Sequence, residues 1–409
     1  MNEMPPNEVG RRLREIRVWR GLSLEVTAGL AGISFGYLGR LERGEQALSN
    51  RGTLEALARA LRVAPSEFTG RPWESGDGRG SDAYAGLMAV ESALDAYEIG
   101  DDPGGVARDW PLVAADLDRL HDLIQAGDYA QQAALVPKLL AELHITYCRG
   151  TAPREDVLRG MITSYSSAMW VTKRTGGRGL PLLAAKAAQQ CAELLESPAW
   201  CGFATWLRGD ATGALARPEQ YRRAVNMADR LTGDLDDHNV IQAYGMLHLS
   251  AALAAAVQAD RDTAYTHLDE ASEVAARMDD EVGTFGRMWF GRANVGIWRA
   301  TIGLEFGEGA RVAEQSKDVH VDAIPSTVRR AEYYGEIGRA LLSEPKTREQ
   351  GLATLLRAEE LAPQRVRADV FVREAVADHL RTARRDAGGR NLRGLAWRLG
   401  IAPEVAAQH

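Results

Sequence analysis

Apolar residues near the start of the chain recur at helical spacing. Val9, Leu13 and Ile16 fall at i, i+4 and i+7, one face of an opening helix. Leu54, Leu57, Ala58 and Leu61 make a second stripe, and Pro65 starts a last short turn that contributes Phe68. Between the stripes, Ser23 is placed to cap a short helix that ends near Gly32. Gly32 and Ile33 make a turn, and Ser34 caps a second helix through Leu38 and Leu41 to about Arg43. Two helices so joined predict a helix-turn-helix, whose second helix enters the DNA major groove while the first braces it.

Beyond this head, residues 1–70, the pattern changes. Gly70 to about Ala83 (GRPWESGDGRGSDA) is rich in Gly, Ser and charge and predicts a flexible linker. Residues 71–107 are assigned to the linker and a connecting helix, and 108–409 to a helical body. In the body, helical patterns follow one another between turn signals, in stretches of about seventeen to twenty-four residues, as a helical-repeat array would show. The fold class expected is all-α.

The head resembles the XRE (Cro/repressor-like) DNA-binding domain. The matching residues are Leu13, Ile16-Arg17, Gly21-Leu22-Ser23, Ala28, Gly32-Ile33-Ser34, Leu38 and the string Leu41-Glu42-Arg43-Gly44, followed by TLEALARAL. Leu24 stands where the family usually has a Gln that contacts DNA, and Thr27 where it has a core Leu. Thr27 is expected to return its hydroxyl to the carbonyl one turn back. The resemblance implies that Phe35, Gly36, Tyr37 and Arg40 read bases, with the Arg40 fork suited to guanine O6 and N7. It implies that Ser34, Arg43, Asn50 and Arg51 grip phosphates, which sets register without reading sequence. Phe35 and Tyr37 have a second reading, packing against a neighbouring helix. The resemblance also implies a partly buried Arg17–Glu42 ion pair.

Charge divides as a DNA-touching head and a passive body would require. Residues 1–70 hold ten Arg, no Lys and eight Glu, a net of +2, against −9 for the remainder of a chain whose total is −7. Cys148, Cys191 and Cys201 lack zinc-ligand spacing and read as small buried hydrophobes of a reducing cytosol. The start shows no signal-peptide pattern, and the longest apolar run, Ser250 to Val257, is too short to span a bilayer. A cytoplasmic protein with no membrane partner is expected.

Some body segments resemble tetratricopeptide (TPR) repeats. Gly351, Leu355, Ala358 and Pro363 in QGLATLLRAEELAP follow the small, large, small, proline spacing of the repeat's second helix, and Ala264, Leu268 and Ala271 repeat the first three. An ordinary helical bundle with Ala-rich seams is the other reading. The whole arrangement resembles actinobacterial regulators that join an XRE head to a TPR-like superhelix, some of which sense peptides on the concave face. Tyr244, His248, Trp289, Arg292, Asn294, Trp298 and Tyr333 are expected on first helices of the repeats, with two readings open: they form one such pocket, or they fill core layers. His144 and Cys148 are one turn apart with no second pair to complete a metal site, so they read as core. KRTGGRG, Lys173 to Gly179, lacks the Walker ending and reads as a loop. No cofactor and no enzymatic activity are expected. The leading expectation is a homodimeric regulator that binds a palindromic operator in double-stranded DNA and senses a small molecule or peptide. The alternative is a scaffold whose repeats dock a partner protein.

Overall fold

The computed structural model describes residues 8–69, 78–177, 179–212, 216–382 and 389–401. Among these residues every regular element is helical. The head comprises α1 (Glu8–Trp19), α2 (Leu24–Ala31), α3 (Phe35–Glu42), α4 (Arg51–Leu61) and α5 (Ser66–Thr69). Local chemistry sets their ends. The side chains of Ser23, Ser34 and Asn50 accept from the backbone N–H groups of Val26, Tyr37 and Thr53, capping α2, α3 and α4. Gly32, at φ 65°, takes the left-handed conformation that stops α2 and turns the chain into α3. Leu13, Ala28, Leu38, Leu57, Ala58 and Phe68 close the core beneath.

Thr27 departs from expectation. It is fully buried and its hydroxyl has no partner among the described residues. The carbonyl one turn back, that of Ser23, accepts the Thr27 backbone N–H at 3.1 Å, and the hydroxyl is left among apolar side chains.

The expected linker lies outside the described residues as far as 77, and the chain is already helical from Gly78, in α6 (Gly78–Ala96). Close packing favours that helix: a Cβ at Gly86 would lie 2.6 Å from Ala133 Cβ. Six helical hairpins follow. They are α7 (Trp110–Ala126) with α8 (Tyr129–Arg149), α9 (Arg154–Arg174) with α10 (Leu180–Leu194), and α11 (Pro198–Ala211) with α12 (Arg217–Leu231). Next come α13 (His238–Val257) with α14 (Arg261–Ala276), α15 (Arg292–Glu305) with the short α16 (Arg311–Gln315), and α17 (Thr327–Leu342) with α18 (Arg348–Leu361). Helices α19 (Pro363–Arg367), α20 (Val370–Thr382) and α21 (Arg390–Arg398) complete the described chain.

Small residues let these helices cross closely. Gly351, Leu355 and Ala358 are buried on α18, and a Cβ at Gly351 would meet the Leu342 backbone nitrogen at 2.8 Å. Ala264, Leu268 and Ala271 are buried in the same way on α14. Helix α13 is longer and more apolar than the Ser250–Val257 run suggested: by length and composition it could cross a membrane, but 94% of its apolar window is buried among its neighbours. It is the central core helix of the body. Cys191 is buried, Cys201 half-buried and Cys148 exposed, so the expectation of three buried thiols fails at Cys148. His144 is fully buried, its Nε2 2.8 Å from the Tyr165 hydroxyl.

The array closes on itself. Thr327 Oγ1 donates to the Gln125 carbonyl at 2.9 Å, and the Tyr129 N–H donates to Gln364 Oε1 at 3.0 Å. The first hairpin thereby meets α17 and α19, and the helices surround a central cavity.

The head is docked on the body through the start of α4. The Glu305 carboxylate, at the end of α15, accepts from the backbone N–H groups of Arg51 and Gly52 at 2.9 and 3.4 Å. It also pairs with the Arg51 guanidinium at 2.5 Å, and Glu336 stands 3.5 Å from the same group. Arg217 grips Glu55 at 2.8 Å, with both side chains largely buried. Phe371 of α20 enters the head's core cluster, and Glu374 accepts from the Leu48 N–H at 3.2 Å. The backbone of Gly52 comes so near that a Cβ there would sit 3.0 Å from the Val257 carbonyl oxygen.

Candidate nucleic-acid interface and central cavity

The turn chemistry of α2 and α3 sets the orientation of the recognition helix. Leu38 and Leu41 face the core, which leaves Ser34, Phe35, Gly36, Arg40 and Arg43 exposed on the opposite side. Phe35 is 51% exposed at the first position of α3, unusual for an aromatic ring with no apolar work to do in the fold. Arg40 Nε donates to Gln46 Oε1 at 2.9 Å, and Arg43 makes a two-point pair with Glu45. Glu45 is exposed and Gln46 half-exposed, and both arginines can exchange these partners for a phosphate. Arg17 and Glu42 form a bidentate pair at 2.6 and 2.7 Å, with 11% and 4% of their side chains exposed, and Arg17 also donates to the Leu22 carbonyl. This pair ties α1 to the end of α3 and so fixes the angle at which α3 is presented.

Two residues expected at the DNA surface lie elsewhere. Tyr37 is half-buried on the head's core, its hydroxyl by Ser49 and Thr53, and burial raises its pKa. It leans on α4 and does not stand with Phe35 and Arg40. Arg51 is turned into the body, held by Glu305 and Glu336 with its guanidinium 5.4 Å from the Phe371 ring centroid. Asn50 remains the cap of α4. In this arrangement a carboxylate fills the α4 N-terminus that a phosphate would need.

The central cavity has a volume of about 410 Å³, the size of a small-molecule site. Its walls come mainly from the first helices of the hairpins, α9, α11, α13, α15 and α17, with Arg51 of the head at one side. Trp170, Trp200, Trp206, Trp289 and Trp298 line it, five of the nine tryptophans in the chain. Opposite charges meet at Glu332, where Arg329 and Arg365 each approach to 2.9 Å and Arg174 to 3.8 Å. Burial would raise the Glu332 pKa, but the charges of Arg365, Arg329 and Arg174 hold it down to about 2. Lys173 is paired with Asp210 at 2.7 Å on the same wall. Arg178, in the loop after it, lies outside the described residues.

Of the seven residues expected to form a pocket, Trp289, Asn294 and Trp298 line this cavity. Asn294 is 1% exposed and its amide is committed within the protein: Nδ2 donates to the Met288 carbonyl at 3.0 Å, and Oδ1 accepts from Arg329 Nε at 2.8 Å. It orients Arg329 and satisfies a buried carbonyl. The Trp289 indole N–H donates to Gln125 Oε1 at 2.8 Å.

The other four residues do not join them. Tyr244 donates to Glu270 at 2.9 Å, and His248 Nδ1 lies 3.0 Å from His267 Nδ1, on the α14 side of α13. The cavity side of α13 carries Met246 and Leu253. Arg292 is exposed and paired with Glu281, and Tyr333 donates to the Ser316 carbonyl beside α16. Each helix residue turns the side chain by about 100°, so sharing a first helix does not mean sharing its inner face.

The residues that do meet carry a helical signature in the sequence. Trp170, Lys173 and Arg174 fall at i, i+3 and i+4; Trp200, Phe203, Trp206 and Asp210 continue down one face of α11; Arg329, Glu332 and Glu336 do so on α17. Aromatic stripes ending in a charge on α9 and α11, with a charged stripe on α17, are what mark this cavity in the sequence.

No curated protein and no solved structure matches the chain. A family model described as a helix-turn-helix domain matches residues 8–69. With Ser34 capping an exposed recognition helix behind a left-handed Gly32 turn, the head is a helix-turn-helix DNA-binding domain, and the chain that carries it is a DNA-binding regulator.

Proposed function

We propose that this protein is a sequence-specific transcription regulator of the XRE kind, whose TPR-like body senses a small ligand and brings two heads together. The observation that carries the reading is the outward face of α3, where Phe35, Gly36 and Arg40 stand exposed while their helix is fixed by the Arg17–Glu42 pair. Phe35 suits a thymine methyl and Arg40 a guanine edge. A homodimer on a palindromic operator is favoured because one such head buries too little surface for strong specific binding. The large cavity supports sensing by a small molecule or short peptide in the body, and the docked head supplies the contact through which occupancy can alter DNA binding. The test is a gel shift on fragments of the gene's own promoter region. Arg40→Ala is expected to lower specific affinity by roughly 1–3 kcal/mol and to relax one base preference, with binding to unrelated duplex little changed. Equal operator binding by the two proteins would sink the assignment of α3.

A further inference from the structure

Resting on the sensing role proposed above, we propose that the central cavity takes a small aromatic anion: a planar ring system bearing a carboxylate or sulfonate. The apolar part of the wall is indole, and flat rings of this kind pack best against other flat rings. Two of the indoles are each flanked by a guanidinium: Arg174 lies 5.8 Å from the Trp170 centroid and Arg329 lies 5.2 Å from that of Trp298. Both arginines converge on Glu332, so these indoles and cations belong to one place.

The charge there is unbalanced. Arg174, Arg329 and Arg365 share the carboxylates of Glu332 and Asp369, leaving one positive charge over. The unsatisfied hydrogen bonds point the same way. Arg174 Nε, Arg329 Nη2 and Trp298 Nε1 are buried with no partner among the described residues, and all three are donors. An anionic group drawn between these side chains would satisfy donors that the closed packing leaves unpaired. A peptide backbone fits less well, since it brings as many donors as acceptors.

The probes are 1-anilinonaphthalene-8-sulfonate and N-phenyl-1-naphthylamine, which share a ring system and differ by the sulfonate. Binding to the full chain is read as probe emission sensitised by tryptophan. The sulfonate is expected to saturate at one per chain and to bind roughly tenfold or more tightly than the neutral amine, as a charge-assisted hydrogen bond requires. Arg329→Gln should bring the two probes within about twofold of each other. Trp298→Phe, which keeps a smaller ring but removes the N–H, should weaken the sulfonate several-fold more than the amine; it decides the matter if Arg329→Gln does not fold. Equal binding of the two probes by the natural protein, sulfonate binding without saturation, or folded variants that keep the full preference would each overturn the site. Duplex binding on the same sample is a separate readout. Loss of the probe preference with intact duplex binding removes this site alone, and a saturable sulfonate site in a protein that never binds duplex removes the regulator reading alone.

Discussion

Head and body bury their helices by different means. In the head, the decisive polar interactions are local: Ser23, Ser34 and Asn50 each cap a helix three residues on. The body has caps of the same kind at Asp128, Asp237, Asp260 and Ser326, but the bonds that close it and hold the head span the chain. Glu305 reaches Arg51 across 254 positions, and Gln364 reaches Tyr129 across 235. A local bond forms with its own helix, whereas a distant one needs most of the fold in place first. The head is therefore specified by short stretches of sequence, and the body's cavity by the coincidence of many.

The contrast can be broken most forcefully at a buried non-local pair within the head. Glu42→Ala strands the buried Arg17 and should cost about 3 kcal/mol or more in chemical denaturation, with part recovered when Arg17 is also replaced by Met. A neutral Glu42→Ala would mean that the head is held by its caps and core alone.

Next in size is a pH effect at the joint between the two regions. Burial raises Glu374 to about 7, against the Leu48 N–H and the charges of Arg381 and Arg373 that lower it, with Asp378 adding to the rise. An acid whose folded pKa is raised costs nothing while it is protonated in both states, below its unfolded value. Stability should fall as pH climbs from that value through about 7, by up to about 3 kcal/mol. Urea titrations of the natural protein and Glu374→Gln should nearly coincide in their pH-dependent part at about pH 4 and diverge by about pH 8, where the variant is the more stable. Parallel curves at both would remove Glu374 as the cause.

Glu305→Gln sharpens the comparison by loosening the latch between the regions. If the α4 N-terminus is a phosphate site that the body covers, releasing Arg51 should tighten duplex binding by about 1–3 kcal/mol and steepen its salt dependence. Unchanged or weaker binding would show that the body does not compete with DNA there. The smallest effect belongs to Thr27→Val. It replaces an unpaired buried hydroxyl by a methyl of nearly the same shape and should stabilise the head by about 1 kcal/mol. A loss of stability would reveal a partner for that hydroxyl.

How much was legible follows the same division. Ser23, Gly32 and Ser34 announce the two helices and their turn, and the Leu38–Leu41 stripe fixes which face of α3 is left outside. The sequence points to Arg51 as a phosphate contact because its place at the start of α4 is local information; its capture by Glu305 is not. Likewise, placement on first helices leaves Tyr244, His248, Arg292 and Tyr333 open to an inner-face or a core reading, because helix order does not fix rotation about the helix axis. The aromatic-to-charge stripes on α9 and α11 and the charged stripe on α17 hold that rotational information, since their periodicity names a face.

Arg51 belongs to two surfaces at once: the first turn of the helix behind the DNA-reading helix, and the wall of the central cavity. A signal that passes between them crosses one side chain and needs no relay through the core. It must also run both ways. By thermodynamic reciprocity, whatever factor a bound molecule takes from the affinity for DNA, DNA takes from the affinity for that molecule. A regulator built on this shared residue would release its ligand as it settles on its operator, so the supply of free operator would itself tune how sensitively the ligand is read.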